Sequence, residues 1–141
     1  MKKGFTLLEL VVVIIILGVL ATLGIQQYAR MIEKARGAEA KTIIGTIRTA
    51  AAGHNLQQGA VTGFTTALAG IGTNADQIPS ACRVTHYFRY GVSAITATGL
   101  TITATRCIAG GKTPNNSVAG TMTLVTDFTA GTDVWGGTGG Y

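Results

Sequence analysis

From Phe5 to Ile25 the chain is built almost entirely of Leu, Val and Ile, and its one charge is Glu9. No other feature restricts the fold as much. At about 1.5 Å per residue such a run is long enough to cross roughly 30 Å of hydrocarbon as a helix. A helix that is apolar on every side must be surrounded by lipid or by other protein. Lys2, Lys3 and Gly4 come just before it. A secretory signal places its small-residue cut site after the apolar segment. Here the small residue, Gly4, comes first, so cutting after it would remove the lysines and leave the helix on the mature chain.

Glu9 is expensive in that setting. An acidic residue deep in a membrane helix costs about 3 kcal/mol, which several Leu, Ile and Val residues offset. The anchor therefore inserts, but its carboxylate needs a partner, because a buried charge is stable only when paired and hydrogen-bonded.

The segment Lys3-Gly4-Phe5-Thr6-Leu7-Leu8-Glu9-Leu10, followed by an aliphatic run, resembles the N-terminus of type IV prepilins and of type II secretion pseudopilins. The resemblance covers the N-terminal helix; the rest of the chain follows the family only in overall plan. It implies cleavage between Gly4 and Phe5 by a membrane prepilin peptidase and N-methylation of the new Phe5 amine. It also implies that Glu9 acts in assembly, paired with the Phe5 ammonium of a neighbouring subunit. By the same resemblance the chain is a structural subunit of a type IV pilus. It would be held in the bacterial inner membrane as a precursor, then polymerised by an assembly platform and motor into an extracellular helical homopolymer serving adhesion, motility or DNA uptake. The alternative within the resemblance is a type II secretion pseudopilin in a short periplasmic pseudopilus. One position departs from the pattern: Gln26 stands where family members typically carry a proline, which leaves Gly18 and Gly24 as the weak points of the helix.

Beyond the apolar run, Ile25, Tyr28, Ile32, Ala35, Ile43, Ile47 and Ala50 recur at helical spacing. They predict an amphipathic continuation stopped by Gly53 as a C-terminal glycine. Arg30, Lys34, Lys41 and Arg48 form a basic stripe opposite, expected to be solvated or to pair with acidic groups on neighbouring subunits. Glu39 falls within the apolar face, with Arg36 one turn away as its partner. From His54 the composition turns to Gly, Thr, Ala and Asn, with a short helix expected around Thr65 to Leu68. Strands are then expected over Val84–Ala97, Leu100–Cys107 and Thr121–Phe128, with a turn at Thr98-Gly99. The expected fold is α+β: a long N-terminal helix packed on a small antiparallel sheet. Its parts are a leader (1–4), a membrane and assembly half (5–25), an amphipathic half (26–53) and a head (54–141). The head divides into a connector (54–81), a sheet (82–128) and a glycine-rich tail (129–141) read as a loop pinned by Trp135.

The chain carries 11 basic and 6 acidic residues, but Lys2 and Lys3 belong to the leader. The basic pI therefore lends little support to nucleic acid as a partner. Cys82 and Cys107 are the only cysteines, and in an exported head such a pair reads as a disulfide. No catalytic set, cofactor site or metal site emerges. His54 and His86 stand alone. Gly70-Ile71-Gly72-Thr73-Asn74-Ala75 mimics a dinucleotide fingerprint but lacks a preceding strand. Asp127 and Asp133 are too few for calcium and suit turns better. Asn115-Asn116-Ser117 is a glycosylation-type sequence of the kind that recurs by chance.

Overall fold

A computed structural model of the chain describes residues 4–64, 77–115, 119–139 and 141. The expected short helix at Thr65–Leu68, the Gly70–Ala75 stretch and part of the Asn115 sequon lie outside the described residues. Two compact units divide the chain between Ala35 and Arg36.

One helix, α1, runs from Leu7 to Gln58. It does not stop at Gly53. Its end is Gly59, whose φ is +74° and whose N–H donates to the Asn55 carbonyl at 2.8 Å. That is a left-handed cap, open to glycine because it carries no Cβ penalty. Gly53 sits within the helix, with nothing near enough to exclude a side chain.

In the first unit, the aliphatic side chains from Leu7 to Ile25 are exposed all round. In the second, Gly37, Ala40, Ile44, Ile47 and Ala51 form the buried stripe. The expected face was one position off. Ile43 and Ala50 flank the stripe, half-buried, while Ile25 and Tyr28 are exposed. The expected face passed from Ala35 to Ile43 and missed Gly37 and Ala40; at Gly37 the lack of a side chain lets the ring of Tyr141 come close.

The sheet is antiparallel, in the order β1 (Phe88–Ser93), β2 (Gly99–Arg106), β3 (Thr121–Asp127) and β4 (Thr132–Gly137). Its inner face supplies Phe88, Tyr90, Val92, Leu100, Ile102, Ala104, Met122 and Leu124 to a core shared with the helix stripe. The outer face carries Thr101, Thr103, Thr105, Thr121 and Thr123, half-exposed in keeping with the period of two. The α+β expectation holds, with two corrections. The β1–β2 turn spans Ala94–Thr98, where Thr96 bonds across to Gly99. Gly99 opens β2, and a side chain there would strike the Thr126 carbonyl. The expected C-terminal loop instead contains β4, and the aromatic that pins it is Tyr141, not the half-exposed Trp135.

Candidate functional site

Thr6 and Glu9 form a reciprocal clasp at the start of α1. The Thr6 N–H and hydroxyl both donate to Glu9 Oε2, at 2.9 and 2.8 Å, and Glu9 N–H donates to Thr6 Oγ1 at 3.3 Å. This is a capping box, in which Thr at the N-cap and Glu three residues later satisfy each other's backbone donors. The spacing Thr6-Leu7-Leu8-Glu9 carries the signal in full, and the sequence reading passed over it in favour of an intermolecular role. The clasp makes the glutamate tolerable in a single copy, since its Oε2 is already saturated. Among the described residues no group donates to Oε1, which leaves one carboxylate oxygen open to a cation. Phe5, one residue before the cap, is 80 % exposed, and Gly4 has open space around it.

Around this clasp lies the exposed apolar collar. A window of α1 near the N-terminus is long and apolar enough to cross a membrane. Leu8, Leu10, Ile14, Leu17 and Leu20 each stay more than half exposed. An apolar surface of that extent marks an interaction site for lipid or protein.

The second unit is held by pins rather than by a reactive site. Cys82 and Cys107 form a disulfide with a Cα–Cα distance of 5.8 Å, closing a 25-residue separation. Next to it Arg106 is 1 % exposed at the end of the inner face of β2. Its guanidinium donates to the carbonyls of Tyr87 at 3.0 Å, Cys107 at 3.3 Å and Pro114 at 2.9 Å. It also lies over the Tyr87 and Phe88 rings. Alternation puts Arg106 in phase with Leu100, Ile102 and Ala104, but its charge counts it among the head's surface cations, since an arginine is rarely fully buried unless paired. Glu39, expected to pair with Arg36, instead accepts the Tyr87 N–H at 3.0 Å, while Arg36 covers the Tyr87 ring. Burial pushes the Tyr90 phenol well above its usual pKa, with the Glu39 carboxylate adding to the effect.

The basic stripe divides. Arg30, Lys34 and Lys41 are exposed, whereas Arg48 turns to Asp133 on β4 at 2.8 Å and lies over Phe128. That hydrogen bond holds the Asp133 carboxyl below the usual carboxylate range. Asp127 performs the expected turn role: its Oδ1 accepts the N–H groups of Ala130 and Thr129, and these depress its pKa. His54 packs edge-on against Phe64, and His86 Nδ1 lies 2.9 Å from Thr85 Oγ1. Among the described residues no group of three His, Cys, Asp or Glu side chains is placed to hold a metal.

Residues 1–25 match the prokaryotic N-terminal methylation motif. The chain is also similar to type IV major fimbrial protein FimA of Dichelobacter nodosus. Several of these relatives match at 40 % identity over 50 residues, which is 36 % of this chain and 31–32 % of theirs. The match thus spans about a third of the length of those relatives. No solved structure matches the chain. Its N-terminal part is type IV pilin-like, and the fold around it is a long helix with a four-stranded antiparallel sheet.

Proposed function

We propose that this chain is a structural subunit of a type IV pilus, cleaved after Gly4 and polymerised through α1. The observation that carries the reading is the half-satisfied carboxylate of Glu9 within an exposed apolar collar. Thr6 occupies Oε2, and Oε1 remains for the Phe5 ammonium that cleavage would create on a neighbouring copy. In a low-dielectric bundle a hydrogen-bonded pair of that kind is stable, while an unpaired carboxylate is not. Apolar side chains from Leu7 to Ile25 would form the filament core and the disulfide-pinned head its coat. The subunit would wait in the inner membrane as a precursor before extrusion by the assembly platform and motor. No role as an enzyme is assigned to it.

The test is electron microscopy of sheared surface material together with mass spectrometry of the N-terminus. Long fibres containing this chain, beginning at a methylated Phe5, are expected. A mature product beginning at Met1, or one lacking the apolar helix, overturns the reading. Confinement of the chain to short periplasmic assemblies would assign it instead to a type II secretion pseudopilus.

A further inference from the structure

Strand β4 is an unprotected sheet edge. In an antiparallel pair, backbone groups alternate between the two neighbouring sides. Thr138 N–H donates to the Thr121 carbonyl at 2.7 Å, which sets the phase: Val134 bonds toward β3, and the N–H and C=O groups of Asp133 and Trp135 point away from it. Among the described residues nothing covers them. Edges are ordinarily blunted by an outward lysine, a proline or a charge. The only charge on β4 is Asp133, and Arg48 draws it to the inner face at 2.8 Å.

The side chains beside this edge match the backbone. Val125 and Val134 are cross-strand partners, 48 % and 61 % exposed, on a face otherwise lined by threonines. On the opposite face, Trp135 is 49 % exposed. We propose that β4 pairs antiparallel with β4 of a second copy of this chain, centred on Val134. In that register Asp133 lies opposite Trp135 of the second copy, so every free donor meets an acceptor. Val134 meets its own counterpart, and the two Val125–Val134 pairs join into one apolar row across four strands. Trp135 of each copy comes beside the Arg48–Asp133 pair of the other, setting an indole next to a guanidinium.

A six-residue edge falls well short of the roughly 1,200 Å² that a free-standing interface needs, so single pairs are weak. They gain strength where many are presented together. A polymer built by repeating one head-to-tail contact leaves a self-paired contact for copies on two different filaments. The edge thus joins filaments side by side. That location rests on the pilus reading; the pairing itself does not.

The experiment uses the full chain carrying Val134→Cys or, separately, Thr132→Cys, under mild oxidation, both in detergent micelles and on sheared filaments. Cys82 and Cys107 are already paired and do not compete. In the proposed register position 134 faces itself, whereas two copies of position 132 lie about 13 Å apart at ~3.3 Å per residue. Disulfide-linked dimer is expected at least about tenfold faster from Val134→Cys than from Thr132→Cys, since only close Cβ atoms couple. Val134→Lys should abolish side-by-side association at unchanged filament yield, and mixing it with Val134→Glu filaments should restore it. Equal coupling at the two positions, absence of coupling at 134 in both preparations, or bundling unaffected by Val134→Lys overturns the proposal. If no filaments form at all, the pilus reading fails, and the micelle experiment still decides the pairing.

Discussion

The two units of this chain solve opposite problems. In the first, around residues 4–35, polar groups are satisfied by neighbours in sequence and the apolar side chains are left outside: Thr6 clasps Glu9, and Leu, Ile and Val face outward. In the second, the apolar side chains are buried and the polar groups that tie the elements together come from residues far apart in sequence. Arg106 holds the carbonyl of Tyr87, and Glu39 holds the N–H of the same residue. A single helix runs through both. Helix formation is thus common to the two, and what differs is the surroundings each side chain is made for. The first unit is incomplete until something apolar covers it; the second carries its own core.

The sharpest way to break that contrast is to remove the charge of Glu9 while keeping its cap. Glutamine serves in a capping box as glutamate does, so Glu9→Gln should leave the helix start and membrane insertion intact. We expect it to reduce filaments on electron micrographs to background. Thr6→Ala provides the converse. It costs about 1 kcal/mol of capping yet keeps the carboxylate, and should still assemble. Normal filaments from Glu9→Gln would mean that the clasp, and not an intermolecular pair, is all that Glu9 provides.

On the side of the second unit, the disulfide should matter most. Replacing Cys82 and Cys107 by serine should lower head stability by about 3.5 kcal/mol on the chain-entropy account of a 25-residue loop. Thermal unfolding of the full chain in detergent, followed by near-UV circular dichroism, reads this directly. A paired comparison comes next. Ile47 is fully buried and Ile15 is 60 % exposed. Ile47→Ala should cost about 3 kcal/mol in the same assay, and Ile15→Ala less than about 0.5 kcal/mol. Similar losses at both positions would show that the collar contributes to the head's own stability.

The smallest expected effect concerns pH. Asp133 and Asp127 both have depressed pKa values, through Arg48 and through the turn amides of Ala130 and Thr129 respectively. A carboxylate whose folded pKa lies below its unfolded value of about 3.9 stabilises fully above that value. Its contribution is lost as pH falls through the folded pKa. The melting temperature should therefore drop in acid, and Asp133→Asn should flatten part of that drop. Because Arg48 and Asp133 are each about a third exposed, the pair is worth only about 0.5 kcal/mol. An acid profile unchanged in Asp133→Asn would show that the pair does not fasten β4.

The sequence alone settled what depends on neighbours along the chain. The apolar run, the place of Gly4 before it and the lone Glu9 define an apolar helix that a cut after Gly4 would leave on the chain. Alternation over Leu100–Cys107 and Thr121–Phe128 defines two strands to within a residue at each end, and the only two cysteines define one bridge. Tertiary structure decided the rest, because it turns on which distant groups come within bonding reach. Arg106 became a buried pin once the carbonyls of Tyr87 and Pro114 surrounded it. The glycine-rich tail became β4 because β3 offered a free edge and Arg48 offered Asp133 a cation. The helix stripe runs through Gly37 and Ala40 because the ring of Tyr141, distant in sequence, packs on Gly37, and helical spacing alone does not say which of two adjacent faces the head covers. Periodicity records local geometry, whereas packing selects among the partners that geometry leaves open.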